Sequence, residues 1–258
     1  MRHLLLTIRY RGTRYHGYQV QQNALSVAQV VQDAVEQVFG ARLPVKGCSR
    51  TDAGVHANQF ALTLYTERQI PCPNVVRAMN VHLPEDIAVL DCREVSDTFH
   101  PRYSCTGKRY LYQIWNSPVR NPFLTDLALH WPHPLDAAEL DAAAQGFLGT
   151  HDFSAFCSAG SSVEDHVRTI YQASVSRQGE LVTFSVTGNG FLYNMVRIMV
   201  GTLLQAAREH LGAAEIAAIV ERGDRAKAGV TAPAHGLYLD RVFYGDMEDR
   251  PDGTVDRP

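Results

Sequence analysis

Apolar side chains alternate over residues 4–10, placing Leu4, Leu6, Ile8 and Tyr10 on one side, which predicts a half-buried strand. Ser26 and Gln29 then form an S-x-x-Q capping signal, and Val27, Val30, Val31, Ala34, Val35, Val38 and Phe39 make one helical stripe that Gly40 ends. A short strand is expected around Pro44–Ser49. Phe60, Leu62 and Leu64 alternate on the next strand. Asn74 is the expected cap of a second, shorter helix carrying Val75, Ala78 and Met79 and closed by Leu83-Pro84, after which Ile87–Val95 reads as a strand. The order is βαββαβ, the split βαβ or ferredoxin-like plan.

The second half follows the same plan. Arg109–Trp115 reads as a strand and Asp136–Leu148 as an Ala-rich helix stopped at Gly149. Val167–Ser176 and Leu181–Thr187 form a hairpin across residues 177–180, where Gly179 suits the turn. Phe191–His210 is the longest predicted helix, Ala213–Arg222 a further one, and Leu237–Phe243 the closing strand. The expected fold class is therefore α+β, two ferredoxin-like units with mixed or antiparallel sheets. The expected division is 1–104, 105–244, and an acidic, disordered tail over 245–258. The halves differ in one informative way: the second joins its central strands by a tight hairpin, whereas the first inserts the polar loop Ser49-Arg50-Thr51-Asp52-Ala53-Gly54-Val55-His56-Ala57-Asn58. Functional groups concentrate on loops held by a rigid scaffold.

Composition narrows the function classes. The chain has 258 residues, of which 45% are apolar and 20% charged, as in a globular rather than a disordered protein. A net charge of −3 argues at first against a nucleic-acid partner. Residues 245–258 carry all of that −3, however, and only three of the 24 cations are Lys, so Arg, the side chain that matches phosphate in a bidentate fork, dominates the remainder. The five cysteines are scattered without a C-x-x-C, which indicates neither a disulfide framework nor a zinc ribbon. No apolar run reaches the length of a membrane span, and the apolar stretch from Leu4 to Ile8 ends at Arg9 without a signal-peptide core, so a cytoplasmic location and no membrane contact are expected.

Three clusters carry candidate chemistry. Asp52, amid Arg50, Thr51, Gly54 and His56, is either an ionised carboxylate usable as nucleophile or base, or the cap of a polar turn. His56 either pairs with Asp52 as a general base or packs at the start of the next strand. A Ser49–His56–Asp52 triad lacks the glycines of a nucleophile elbow. Arg197 lies in the apolar run Phe191–Val200, where a buried guanidinium needs a carboxylate; Asp52 is the expected partner, and a snorkelling surface Arg is the alternative. Lys108-Arg109-Tyr110-Leu111-Tyr112 sets Tyr110 and Tyr112 on one face beside cations, a pattern that suits base stacking as well as ordinary strand packing. Gly188-Asn189-Gly190, before the long helix, offers N–H groups to a phosphate or simply makes a turn. His130, His133 and His151-Asp152 lack metal-ligand spacing, so no metal site is expected.

The segment Gly47-Cys48-Ser49-Arg50-Thr51-Asp52-Ala53-Gly54-Val55-His56-Ala57 resembles the signature loop of the tRNA pseudouridine synthase A family, which acts on the anticodon arm. Tyr10–Gln21, Lys108–Tyr112, Gly149–Phe156, Asn194–Arg197 with Val200–Leu203, and Ala232–Leu237 resemble that family's blocks in its order. Coverage runs from about residue 3 to 244. Tyr18 departs from the Trp common in the family, and the tail after Gly245 has no counterpart. The resemblance implies isomerisation of uridine to pseudouridine at tRNA positions 38, 39 and 40, without cofactor, by a homodimer. It implies Asp52 as the catalytic aspartate, a nucleophile in one reading, Arg197 as its ion-pair partner, Tyr110 as the residue stacking on substrate, and Arg50 as the arginine that displaces the flipped base. Arg11, Arg14, Lys108 and Arg109 are the expected phosphate contacts. They are expected to gather with Arg9 and Arg50 along one cleft spanning the two units. The rival reading is a non-catalytic RNA-binding protein of tandem ferredoxin-like units, against which stands the absence of an RNP pattern.

Overall fold

The computed structural model describes residues 1–161 and 163–245. The expected acidic tail lies almost wholly outside the described residues. Two compact units form among the described residues: 1–106 with 238–245, and 107–237.

The first unit opens with β1 (Arg2–Tyr10), α1 (Val27–Phe39), β2 (Lys46–Gly47), β3 (His56–Thr66), α2 (Cys72–His82) and β4 (Ile87–Glu94). Strand β1 lies between β4 and β3, antiparallel to both, and β2 joins the other side of β3. This is the ferredoxin-like order. The alternation in β1 sets the register: Leu4, Leu6 and Ile8 face Leu64, Leu62 and Phe60, and all six are essentially buried. Helix α1 buries Val27, Val31, Ala34, Val35 and Phe39, each of the larger side chains contributing about 1.5–3 kcal/mol. Ser26 Oγ accepts the Gln29 N–H at 3.3 Å, and Gly40 ends the helix in the left-handed region. Helix α2 starts earlier than Asn74. Pro71 is its N-cap and Cys72 its first residue, because Pro73 in the first turn has its φ already set and needs no N–H partner there.

The second unit contains β5 (Cys105–Asn116), which begins at the boundary, then β6 (Leu129–Trp131), α3 (Ala137–Ala144), β7 (Gly149–Asp152), β8 (Val167–Gln178), β9 (Leu181–Gly188), α4 (Met195–Glu209) and α5 (Ala213–Arg222). Strands β5, β9, β8 and β7 run antiparallel in that order, and β6 pairs in parallel with β5. Asp136 caps α3 through bonds to Ala138 and Glu139, but the helix stops at Ala144 and a 3-10 turn over Gln145–Phe147 completes the predicted segment. Helix α4 begins four residues later than its apolar pattern suggests, because Asn194 adopts φ 61° and ψ 8°. The last strand, β10 (Leu237–Tyr244), pairs in parallel with β3 at His56 and Ala57. From Tyr238 it falls in the first unit, where the sequence pattern had assigned it to the second. Asn58 donates to Asp240 at 2.8 Å and reinforces that pairing.

Candidate active site

The loop between β2 and β3 carries Asp52, and its shape comes from the segment that follows β1. Val55 N–H closes a turn on the Asp52 carbonyl at 3.1 Å. Tyr18 N–H donates to the Thr51 carbonyl at 3.2 Å and Gly54 N–H to that of Tyr15 at 3.3 Å. The Thr51 and Tyr10 hydroxyls are 2.8 Å apart in a buried pair. This contact leaves no room for side chains at two positions. A Cβ on Gly12 would collide with the Val55 carbonyl, and one on Gly17, at φ 84°, with that of Thr51. Residues 12–18 therefore form a cradle for the loop. Asp86 braces the cradle, accepting from Tyr15 Oη at 2.5 Å, from the Arg11 N–H at its carbonyl at 2.9 Å, and pairing with Arg14 at 3.4 Å. Within it Asp52 is half-buried, while Arg50, Arg11 and Arg14 are exposed, as is Arg9 on β1.

His56 is buried at the first position of β3, and its Nδ1 accepts the Gly12 N–H at 2.9 Å. That nitrogen therefore carries no proton. The ring also stacks obliquely on Tyr238, 4.6 Å away. Burial pushes the Tyr238 hydroxyl up to about 12, against an opposing pull from Arg11, so it stays a neutral phenol. Its burial and its bond to Gly12 suit a residue packed at the start of the strand, one of the two sequence readings for His56.

In the second unit, Lys108, Arg109 and Tyr110 pair with Gly188, Thr187 and Val186 of β9. Lys108 and Arg109 are half-buried. Tyr110 is 7% exposed and meets Phe191 edge-on at 5.0 Å. Tyr112, on the same face, is fully buried and donates its hydroxyl to the Pro233 carbonyl at 2.8 Å. Its acidity is suppressed by burial and only partly restored by Arg197.

Arg197 occupies the first turn of α4 and is half-buried. Its Nε donates to the Ala232 carbonyl and its Nη1 to Asn194 Oδ1, both at 2.7 Å, and the Ala232 N–H returns to the Arg197 carbonyl at 3.1 Å. Residues 229–233 thus form a strap against α4. They reach it because Gly229 and Gly201 face one another without side chains, and the Thr202 hydroxyl receives the Gly229 N–H at 2.9 Å. Tyr112 secures the far end of this strap through Pro233. The strap and Asn194 were not legible as supports from periodicity; an Asn immediately before an apolar helix was the available signal.

Other expectations change. Gly188-Asn189-Gly190 does not sit at a helix N-terminus, since α4 starts at Met195; Asn189 is instead bonded both ways to the Thr169 backbone, at 2.9 and 3.0 Å. His130 bonds the Ser117 carbonyl, and Asn116 bonds the carbonyls of Trp131 and His133. Among the described residues no group of three or more His, Cys, Asp or Glu side chains is placed to hold a metal ion, and no helix is long and apolar enough to cross a membrane.

Comparison with known proteins bears on both units. A family model described as tRNA pseudouridine synthase matches residues 6–104 and 143–245. A protein of Acetivibrio thermocellus named tRNA pseudouridine synthase A is 45% identical over 244 residues, covering 95% of this chain and 100% of the relative. Proteins of the same name from Exiguobacterium sibiricum and Staphylococcus aureus are 43% and 38% identical, covering 96% and 95% of this chain and 99% and 93% of the relatives.

Proposed function

The chain belongs to the tRNA pseudouridine synthase family, and from that membership we propose that it isomerises uridine to pseudouridine in tRNA, at positions 38, 39 and 40 of the anticodon arm, with Asp52 as the catalytic residue. The observation that carries the assignment to Asp52 is its loop: a half-buried carboxylate on a turn held by backbone hydrogen bonds to residues 15 and 18, beneath two glycines that admit no side chain. Preorganisation of this kind places a reacting group without cost at the moment of reaction.

The chemistry follows from what the reaction requires. The target uracil leaves the base stack before its glycosidic bond is reached, at an unstacking cost of a few kcal/mol. Arg50, exposed on the loop, fills the space it leaves. Asp52, with Arg197 as its proposed partner, adds to the base or ribose or removes a ribose proton. The N1–C1′ bond breaks, the uracil turns against Tyr110, C5 bonds to C1′, and the C5 proton is lost while N1 gains one. The sum is an isomerisation, so its balance requires no redox partner. Arg11, Arg14, Lys108 and Arg109 neutralise backbone phosphates, and the active species is a cytoplasmic homodimer. No step calls for a metal.

The test uses purified protein and unmodified tRNA tritiated at uracil C5. Tritium release with pseudouridine appearing at 38, 39 and 40 is expected. Tight tRNA binding without release would instead identify a non-catalytic RNA-binding protein.

A further inference from the structure

We propose that Asn194 is a positioning residue for the reaction, acting through Arg197. The inference rests on the proposed pairing of Arg197 with Asp52. Asn194 stands at the N-cap of α4, a position where an Asn side chain normally accepts a backbone N–H of the first turn, yet it makes no such bond. Its amide is turned instead to the guanidinium. Because Arg can only donate, the atom 2.7 Å from Arg197 Nη1 is the carbonyl Oδ1, and this fixes Nδ2 toward Ser158 Oγ at 3.0 Å. Both ends of the amide are engaged, so the side chain cannot flip without losing two bonds.

The backbone supports the same assignment. Asn194 holds φ 61°, a conformation unfavourable for most L-residues and tolerated by Asn, within the turn that the Met195 N–H closes on the Leu192 carbonyl at 3.1 Å, and α4 begins at the next residue. Arg197 is thereby gripped at two separate donors, Nη1 by Asn194 and Nε by the Ala232 carbonyl. Two fixed points set the plane of a rigid guanidinium, and with it the direction in which its remaining donors face. The Ser158 contact, reinforced by Ser158 N–H donating to the Tyr193 carbonyl at 3.1 Å, ties the segment after Phe156 into the same arrangement.

Asn194→Gly separates the side chain from the backbone, since glycine keeps the left-handed conformation while removing Oδ1. Turnover of C5-tritiated tRNA, KM and thermal stability would be measured for Asn194→Gly, Asn194→Ala and Arg197→Met beside the wild type. Asn194→Gly is expected to melt near the wild type and to lose about ten- to a hundredfold in kcat with KM unchanged, the cost of a misaimed group in a preorganised site. Asn194→Ala should show the same kcat loss with a lower melting temperature. Wild-type kcat in Asn194→Gly, with Arg197→Met inactive, would overturn the positioning role and leave the Asp52–Arg197 reading standing. Wild-type kcat in Arg197→Met would overturn both.

Discussion

Asp52 owes its placement to main-chain atoms more than to side chains. The carbonyls of Thr51, Asp52 and Tyr15 and the N–H groups of Tyr18, Gly54 and Val55 fix the turn, and His56 serves it by accepting the Gly12 N–H. Beneath this loop lies a residue that is less well provided for. The Tyr18 ring stacks on Phe60 at 4.2 Å and rests against Gly47, but its hydroxyl is buried with no hydrogen-bond partner. Burial accordingly pushes that hydroxyl far above the ordinary tyrosine range. Tyr18→Phe removes an unsatisfied donor without changing shape and should stabilise the protein by about 1 kcal/mol, raising Tm by roughly 2–4 °C with unchanged activity. Differential scanning calorimetry checks it; a lower Tm would show that the hydroxyl finds a partner. At this scale the sequence was informative about chemistry and poor about support. Arg197 stood out as a charge in an apolar run, Asp52 as a carboxylate in a dense polar loop, and Tyr110 as an aromatic beside cations on a strand. Asn194 and Ala232 did not, because their role depends on a φ angle and on a backbone carbonyl contributed from 35 residues away.

Among the elements, α1 was legible end to end, since its cap, stripe and terminating glycine all point to one helix and the structure contains each of them. Helix α4 was not. Its apolar pattern continues through Phe191 and Leu192, but these residues precede the helix, Leu192 buried and Phe191 half-buried. Hydrophobicity reports burial and cannot by itself report where the backbone turns helical. The cradle over residues 12–18 has no periodicity at all, and its logic is steric. Gly12→Ala would drive a methyl into the Val55 carbonyl, so the loop has to move. Overpacking of this kind costs about 1–3 kcal/mol, and a shift of Asp52 by about 1 Å is enough to lower kcat on the order of a hundredfold. Steady-state turnover and thermal melts on Gly12→Ala should show catalysis damaged far more than stability. Equal loss of both, in step with the unfolded fraction, would mean that the cradle holds the fold together and does not aim the carboxylate.

On the scale of the whole molecule, a formal charge of −3 conceals a chain whose acidic excess resides in residues 245–258. The ferredoxin-like order was readable from the alternation of strands and helices. The membership of β10 was not, because pairing with β3 at His56 and Ala57 joins residues about 180 positions apart. Arg14 illustrates how surface charge and stability separate. Its contact with Asp86 is long, and its side chain is 71% exposed, so Arg14→Ala should barely change Tm. If Arg14 meets a phosphate, the same substitution weakens tRNA binding and lowers the slope of log K against log salt by about 1. An unaltered slope would remove Arg14 from the binding surface.

Asp52 is proposed to perform the chemistry and not to hold the substrate. Asp52→Asn keeps the size of the side chain and the turn that carries it. Purified variant and wild type would be compared for tritium release from C5-labelled tRNA and, in parallel, for tRNA affinity at one fixed salt concentration. Loss of detectable release with affinity within a few-fold of the wild type is the predicted result. Release at the wild-type rate would contradict it.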